Sequence, residues 1–330
     1  MKSIIFIAIL SVLGCNVISQ TTVAAQQKPL APAILPGKGL AQYDFFYAGE
    51  AKTQNMYIVR KGQIVWWYKD TVTKGEISDA VLMTNGNILF AHQFGVTLID
   101  KNKKMLWHYD VAPGHEIHTA QPIGKKHIVY VENGSDTGKV VVVNIETNTI
   151  VKEFSIPVGK KSVHGQFRHA RLTNKGTLLV AHMDMGKVCE YDINGNQLSS
   201  VDVPGVWGAE PLANGNILTC GRGVVREITP KGDTVWMYAI KDIPGYTITS
   251  SQLAIRRPNG NIVVNDWFNQ WSGKIDNSNL PVQFIELTPD KKIIWALRSW
   301  TEPFNLGPAT IIQFLDDKRI SENVLFGNIK

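Results

Sequence analysis

From about residue 39 onward the chain is written in short runs of alternating apolar and polar positions, punctuated by Gly, Asn, Pro and Lys. Alternation with period two, rich in β-branched and aromatic residues, predicts strands, and no amphipathic helix is discernible in this region. One turn recurs ahead of a β-rich run: Asn85-Gly86-Asn87, Asn214-Gly215-Asn216 and Asn259-Gly260-Asn261, with weaker copies at Gly124–Val129 and Asn174–Leu179. Asn-Gly is expected to supply the positive φ angles of a tight hairpin. A second half-unit follows each hairpin. Examples are Val96–Asp100 with Met105–Tyr109, Val224–Ile228 with Val235–Tyr238, and Phe284–Leu287 with Ile293–Trp295; Met56–Val59 with Ile64–Tyr68 is the first.

The hairpin turns fall near residues 85, 125, 175, 215 and 260. Spacing of about 40 to 50 residues suits a four-stranded propeller blade. Such a unit cannot bury both of its faces alone, so units must stack around an axis. Six second halves begin near residues 56, 96, 139, 187, 223 and 283. The fold class is therefore all-β: a six-bladed β-propeller of four-stranded blades, with seven blades as the alternative. Ring closure is expected from the C-terminus, with Ala309–Leu315 as one strand and Asn323–Phe326 as a second; Asp44–Ala48 competes for that place. Closure removes exposed strand edges.

The pattern of Asp or Thr-Pro, a Gly or Lys turn, then Val/Ile-Trp-x-Tyr is carried by Asp100–Tyr109, Thr229–Tyr238 and Thr288–Trp295. It resembles the repeats of the quinoprotein-dehydrogenase-like (PQQ-repeat-like) propellers, at the level of architecture, over nearly the whole chain after the N-terminal region. The resemblance implies that Trp66, Trp107, Trp236 and Trp295 dock neighbouring blades. That superfamily spans quinone-dependent dehydrogenases, assembly scaffolds and arylsulfate sulfotransferase-like enzymes. The adjacent-cysteine pair of many such dehydrogenases is missing and six units fall short of their usual eight, so PQQ is not expected. Fold alone does not assign a function.

Lys2 precedes an apolar run, Ile4–Leu13, and a polar segment follows. This reads as an export signal rather than a membrane span. Val23-Ala24-Ala25 resembles an ordinary cleavage site; Val12-Leu13-Gly14-Cys15 resembles a lipobox that would lipidate Cys15. The first reading is preferred, and gives a signal over 1–25 (1–14 for a lipoprotein), a linker over 26–38 and one propeller domain over 39–330. The expected location is periplasmic, extracellular or lipid-anchored at the envelope, with no transmembrane span after the signal. The remaining cysteines, Cys189 and Cys220, read as small buried residues; a disulfide between them would need Cα atoms within about 7 Å. Lys plus Arg number 34 against 28 Asp plus Glu, a formal +6. The basic residues are scattered rather than gathered in a stripe, which argues against nucleic acid.

In a propeller the loops before the innermost strand and between the second and third strands open on one face, where function gathers. Before the innermost strands stand Glu76 and Asp79; His115, Glu116 and His118; His164, Arg168 and His169; Trp207 and Glu210; and Ser250, Ser251 and Gln252. At the ends of the second strands stand His92 and Gln93, Glu132 and Asn133, His182 and Asp184, Arg222, and Asp266 with Trp267. Six of the eight histidines fall on these positions, which marks a polar funnel.

Histidine is the natural proton shuttle near neutral pH, and Arg168 or Arg222 can clamp a carboxylate or sulfate. His118, His169 and His182 are the candidate catalytic residues. A divalent cation would draw on His118, His169, His182 and Asp184; no other cofactor is expected. The insertion Asp266–Pro281 carries Trp267, Phe268 and Trp271 among amides, a composition that suits a sugar ring. Two functions compete: an exported propeller binding a glycan, peptide or protein, and an enzyme acting on an anionic carbohydrate or sulfate ester, either a lyase or hydrolase or a sulfotransferase-like enzyme. A quinone dehydrogenase ranks last.

Overall fold

A computed structural model describes residues 34–50, 54–70, 75–159, 162–239, 250–267, 280–317 and 321–330, together with residues 32 and 246. The export signal, Cys15, Phe268 and Trp271 lie outside the described residues. The described chain is a six-bladed propeller, six four-stranded antiparallel sheets. Blade 1 comprises β4 (Asp79–Leu82), β5 (Ile88–Ala91), β6 (Gly95–Ile99) and β7 (Met105–Asp110). Blade 2 is β8 (Glu116–Ile123), β9 (His127–Asn133), β10 (Gly138–Asn144) and β11 (Thr149–Ile156). Blade 3 is β12 (Phe167–Leu172), β13 (Leu178–His182), β14 (Lys187–Tyr191) and β15 (Gln197–Asp202). Blade 4 is β16 (Val206–Pro211), β17 (Ile217–Gly221), β18 (Val224–Ile228) and β19 (Thr234–Ala239). Blade 5 is β20 (Ala254–Arg256), β21 (Ile262–Asn265), β22 (Phe284–Leu287) and β23 (Ile293–Leu297).

The closing blade is stitched from both ends of the described chain. Its order is β24 (Ile311–Phe314), β1 (Phe45–Glu50), β2 (Gln54–Arg60) and β3 (Gln63–Asp70). β24 pairs β1 from Phe45 opposite Phe314 to Ala48 opposite Ile311. One strand thus comes from the C-terminal side and three from the N-terminal side, so Asp44–Ala48 takes the place for which Asn323–Phe326 competes. The latter segment forms no strand. A short 3-10 turn, Ser321–Asn323, leads to Phe326, which is fully buried against blades 2 and 3. Glu322 accepts from the amide and hydroxyl of Thr84 in the blade 1 hairpin, and Gly327 donates to Gly176 in that of blade 3. The segment is a strap across the hairpin ends.

Turn chemistry refines the reading of Asn-Gly. Gly86, Gly215 and Gly260 alone take positive φ, near 85°. The preceding asparagines instead accept a hydrogen bond from the amide two residues on, each at 3.0 Å (Asn85 from Asn87, Asn214 from Asn216, Asn259 from Asn261). This is the Asx turn.

The repeating tryptophans dock blades as the resemblance implies. Trp66 donates to the Lys101 carbonyl, Trp107 to Asn148 Oδ1, Trp236 to the Pro289 carbonyl and Trp295 to the Gly39 carbonyl, all at 2.8–2.9 Å. In the first three, each indole reaches the outer hairpin turn of the next blade. Phe154 takes this role in blade 2, packing on the turn at Gly195. Five clusters of buried apolar residues fill the spaces around the ring. Cys189 and Cys220 are free and buried on different blades, and burial pushes the Cys220 thiol up to about 12.

Candidate functional site

Three innermost hairpins carry a β-bulge at the loop face. The register slips between Ile117 and Thr119, between Phe167 and Ala170, and between Val206 and Gly208. The unpaired residues are His118, Arg168 with His169, and Trp207. A bulge bends its strand and re-aims a side chain, and here consecutive blades use it to bring polar groups to the channel.

Two tiers of charge result. In the upper tier Arg168 reaches from blade 3 to Glu76, which precedes β4 of blade 1, over His118 of blade 2. The Arg168 Nη1 atom also lies 2.8 Å from His118 Nδ1, and Nη2 lies 2.8 Å from His164 Nε2. Ser78 donates to Glu76 at 3.0 Å and lies 2.9 Å from His118 Nδ1. On the far side of both imidazoles, Glu116 Oε2 contacts His118 Nε2 at 2.7 Å and His164 Nδ1 at 2.8 Å; Gln93 donates to its other oxygen. Burial pushes the Glu116 carboxyl up, but the hydrogen bonds from His118 and His164 outweigh it and hold the group well below the usual carboxylate range. His118 is fully buried, whereas the His164 side chain is 52% exposed on its 3-10 turn, Val163–Gly165.

In the lower tier Arg171 binds Asp79 through both terminal nitrogens and Glu210 through Nε. Thr119 adds a hydroxyl to Asp79 at 2.9 Å. Arg171 Nη2 lies 2.9 Å from His169 Nδ1. Arginine only donates, so that nitrogen accepts, and the proton of the neutral ring sits on Nε2. Burial, then the charges of Arg171 and Arg168, hold His169 well below the ordinary imidazole value. Its Nε2 is buried and has no partner among the described residues.

The other residues singled out from the sequence lie around this core. Glu132 accepts from His115 at 2.5 Å and from Tyr109 at 3.1 Å, a separate pair of contacts beside blade 2. His92 is buried within blade 1, 3.0 Å from Thr97 and stacked on His108. His182 is enclosed by Phe167 and Tyr191, apart from the tiers, and burial pushes it down to about 4. Asp184 accepts from the Gly159 amide. Trp207 and Trp267 meet edge to face at 5.2 Å, with the Arg222 guanidinium 5.5 Å from the Trp207 ring. Gln252 is fully buried, and neither atom of its side-chain amide has a partner among the described residues. Asp266, the residue after β21, is buried, and its amide donates to the Gln283 carbonyl.

Of the four cation ligands read from the sequence, only His118 joins the group whose ligand atoms converge, which is Glu76, His118 and His164. Arg171, Ser78 and Thr119 are the site residues that sequence reasoning missed. The signal for Arg171 was its spacing of three from Arg168, matching that of Asp79 from Glu76.

A cavity of about 710 Å³ opens on the opposite, hairpin face beneath Arg171 and Glu210, walled by Leu172, Leu212, Ile255 and Phe314. Its arginines are paired internally: Arg256 with Glu227, and Arg257 with Asp316 and Asp317.

No protein-family model and no curated protein matches the sequence. Solved structures match the fold. A protein of unknown function from Bacteroides caccae is 21% identical, with a TM-score of 0.69, over 82% of this chain and 97% of that one. A streptogramin B lyase matches at 14% identity and TM-score 0.54, over 83% and 87% of the two chains. A catalytically inactive His-to-Ala variant of virginiamycin B lyase from Staphylococcus aureus, with quinupristin, matches at 13% and 0.55, over 80% and 88%. These likenesses establish a β-propeller architecture shared with such proteins. Among the described residues, no helix is long and apolar enough to cross a membrane.

Proposed function

We propose that this protein is an exported propeller that binds a polar, saccharide-like ligand over the loop-face mouth of its channel. The observation that carries the reading is the Trp207–Trp267 pair. Trp207 is nearly buried and Trp267 partly exposed, so the outer ring offers an apolar face, with the exposed Arg222 beside its partner. Sugar rings stack on such faces, while their hydroxyls need fixed donors and acceptors. His164, held by Glu116 and Arg168, supplies an oriented imidazole edge on the adjoining blade. The hairpin-face cavity is the poorer candidate because Arg256 and Arg257 already have carboxylate partners there. Export rests on Lys2 and the apolar run Ile4–Leu13.

The test is a thermal-shift and calorimetric screen of neutral and uronic-acid oligosaccharides. A ligand that binds only the folded state raises the midpoint by mass action. The expected result is a shift that is lost in Trp267→Ala and weakened in His164→Ala. No shift with any saccharide at millimolar concentration would overturn the reading. A shift retained in full by Trp267→Ala would move the ligand to the hairpin face.

A second reading, a proton-transfer enzyme such as a lyase, is favoured by one observation: the Glu116 carboxylate orients a half-exposed imidazole, His164. Two lyases share the fold. If turnover of a bound uronic acid is found, Glu116→Gln and His164→Ala should each lower kcat by about 10²- to 10⁴-fold.

A further inference from the structure

We propose that Glu76, His118 and His164 form a binding site for a divalent transition-metal ion of the zinc class, competing with the Arg168 side chain. The inference stands whether or not the mouth also takes a saccharide.

Glu116 sets the tautomers of both imidazoles. A carboxylate only accepts, so the two nitrogens that touch its Oε2, His118 Nε2 and His164 Nδ1, both carry hydrogens. In the neutral rings the opposite nitrogens, His118 Nδ1 and His164 Nε2, then present lone pairs. One nitrogen of each ring and a carboxylate oxygen of Glu76 lie within 4.8 Å of one another. His118 Nδ1 is 3.1 Å from Glu76 Oε1. A tetrahedral ion with ligands at about 2.0–2.1 Å separates them by roughly 3.4 Å, so the spacing fits zinc-type coordination. Hydrogen-bonding the outer nitrogen of a ligating imidazole to a carboxylate is the usual device for fixing its tautomer and raising its basicity. Here one carboxylate does so for two rings.

The point of convergence already holds a cation. The Arg168 guanidinium bonds Glu76 and lies against both lone-pair nitrogens. With both imidazoles neutral, Glu76 and Glu116 carry two negative charges against one on Arg168. A divalent ion would balance both carboxylates, which a guanidinium does not. The three ligands come from blades 1, 2 and 3, so the ring itself sets their spacing. His164 stands on an exposed turn and leaves one side open.

The experiment is calorimetric titration of chelator-stripped protein with zinc chloride, paralleled by cobalt(II) absorption in the visible. The expected result is one equivalent bound, with the cobalt spectrum of a low-coordinate nitrogen and oxygen site. His164→Ala, at a half-exposed position, should keep the melting midpoint and lose binding. Glu116→Gln should weaken binding about 10- to 100-fold. Arg168→Met, which removes the competing cation, should tighten it. Absence of stoichiometric binding in the wild-type protein, or binding unchanged in His164→Ala, would overturn the site. Weaker binding in Arg168→Met would overturn the competition.

Discussion

Arg171 spans the channel from β12 to hold Asp79 of blade 1 by both terminal nitrogens, at 2.7 and 3.0 Å. Both side chains are nearly buried, at 8% and 1% exposure. Breaking a buried pair by removing one partner strands a charge, which costs about 3–5 kcal/mol. Arg171→Met should therefore lose that much in urea denaturation. Replacing both members, Asp79→Leu with Arg171→Met, should lose less than the single change. If the double variant is the weaker, the pair is not the source of the loss.

The blade-docking indoles separate hydrogen bonding from packing. Trp107→Phe removes the bond to Asn148 and part of the indole's volume but keeps an aromatic ring in place, and should cost about 1–2 kcal/mol. Trp107→Ala also empties its space between blades 1 and 2 and should cost about 3–5 kcal/mol. Equal losses in the two variants would show that the indole N–H dominates.

The strap that ends in Phe326 makes a third prediction. Its ring is fully buried beside Tyr191 and Phe154. Phe326→Ala should cost about 3–5 kcal/mol. Hydrogen exchange should rise first at the Gly327 amide, which donates to the Gly176 carbonyl.

Acid stability follows from His182. Burial lowers it from 6.5 to about 4, opposed by a hydrogen bond to the Pro157 backbone. The folded protein holds this proton more weakly than the unfolded chain. Its contribution is complete above about pH 6.5, drains as the pH falls, and is exhausted near pH 4. The loss is about 3 kcal/mol. His169 shifts in the same direction, and the depressed Glu116 adds a loss below its ordinary 4.5. His182→Gln should flatten the slope of melting midpoint against pH between 6.5 and 4; an unaltered slope would assign it to His169.

Export predicts a mature mass. Cleavage after Ala25 gives an unmodified chain beginning at Gln26, and Cys15→Ser should leave its location unchanged. A lipid-modified mass, or retention of the serine variant, would favour the lipobox reading.

What could be read from the sequence was whatever is local. The second halves of all six blades begin within two residues of their expected starts, because alternation and turn residues act over a few positions. The place of Asp44–Ala48 was ambiguous because apolar strands at both ends compete for one blade, and pairing between them is not a local property. The site divided in the same way. His118, Arg168 and Glu76 stand at the strand starts where a funnel was expected. That Glu116 serves two imidazoles, and that Arg171 crosses to Asp79, depends on bulges and on ring curvature, which no spacing along the chain encodes. Sequence reasoning favoured buried imidazoles, whereas the reachable one in the upper tier is His164.

A ring sewn shut by β24 against β1 has a single seam, and its hydrogen bonds join residues more than 260 positions apart, as in Thr310 to Ala48. Opening that seam bares two unpaired strand edges of complementary register. A second copy carries the same strand, so partly unfolded molecules can complete each other by exchanging β24. At high concentration the first misassembled species should be a strand-swapped dimer that retains every blade.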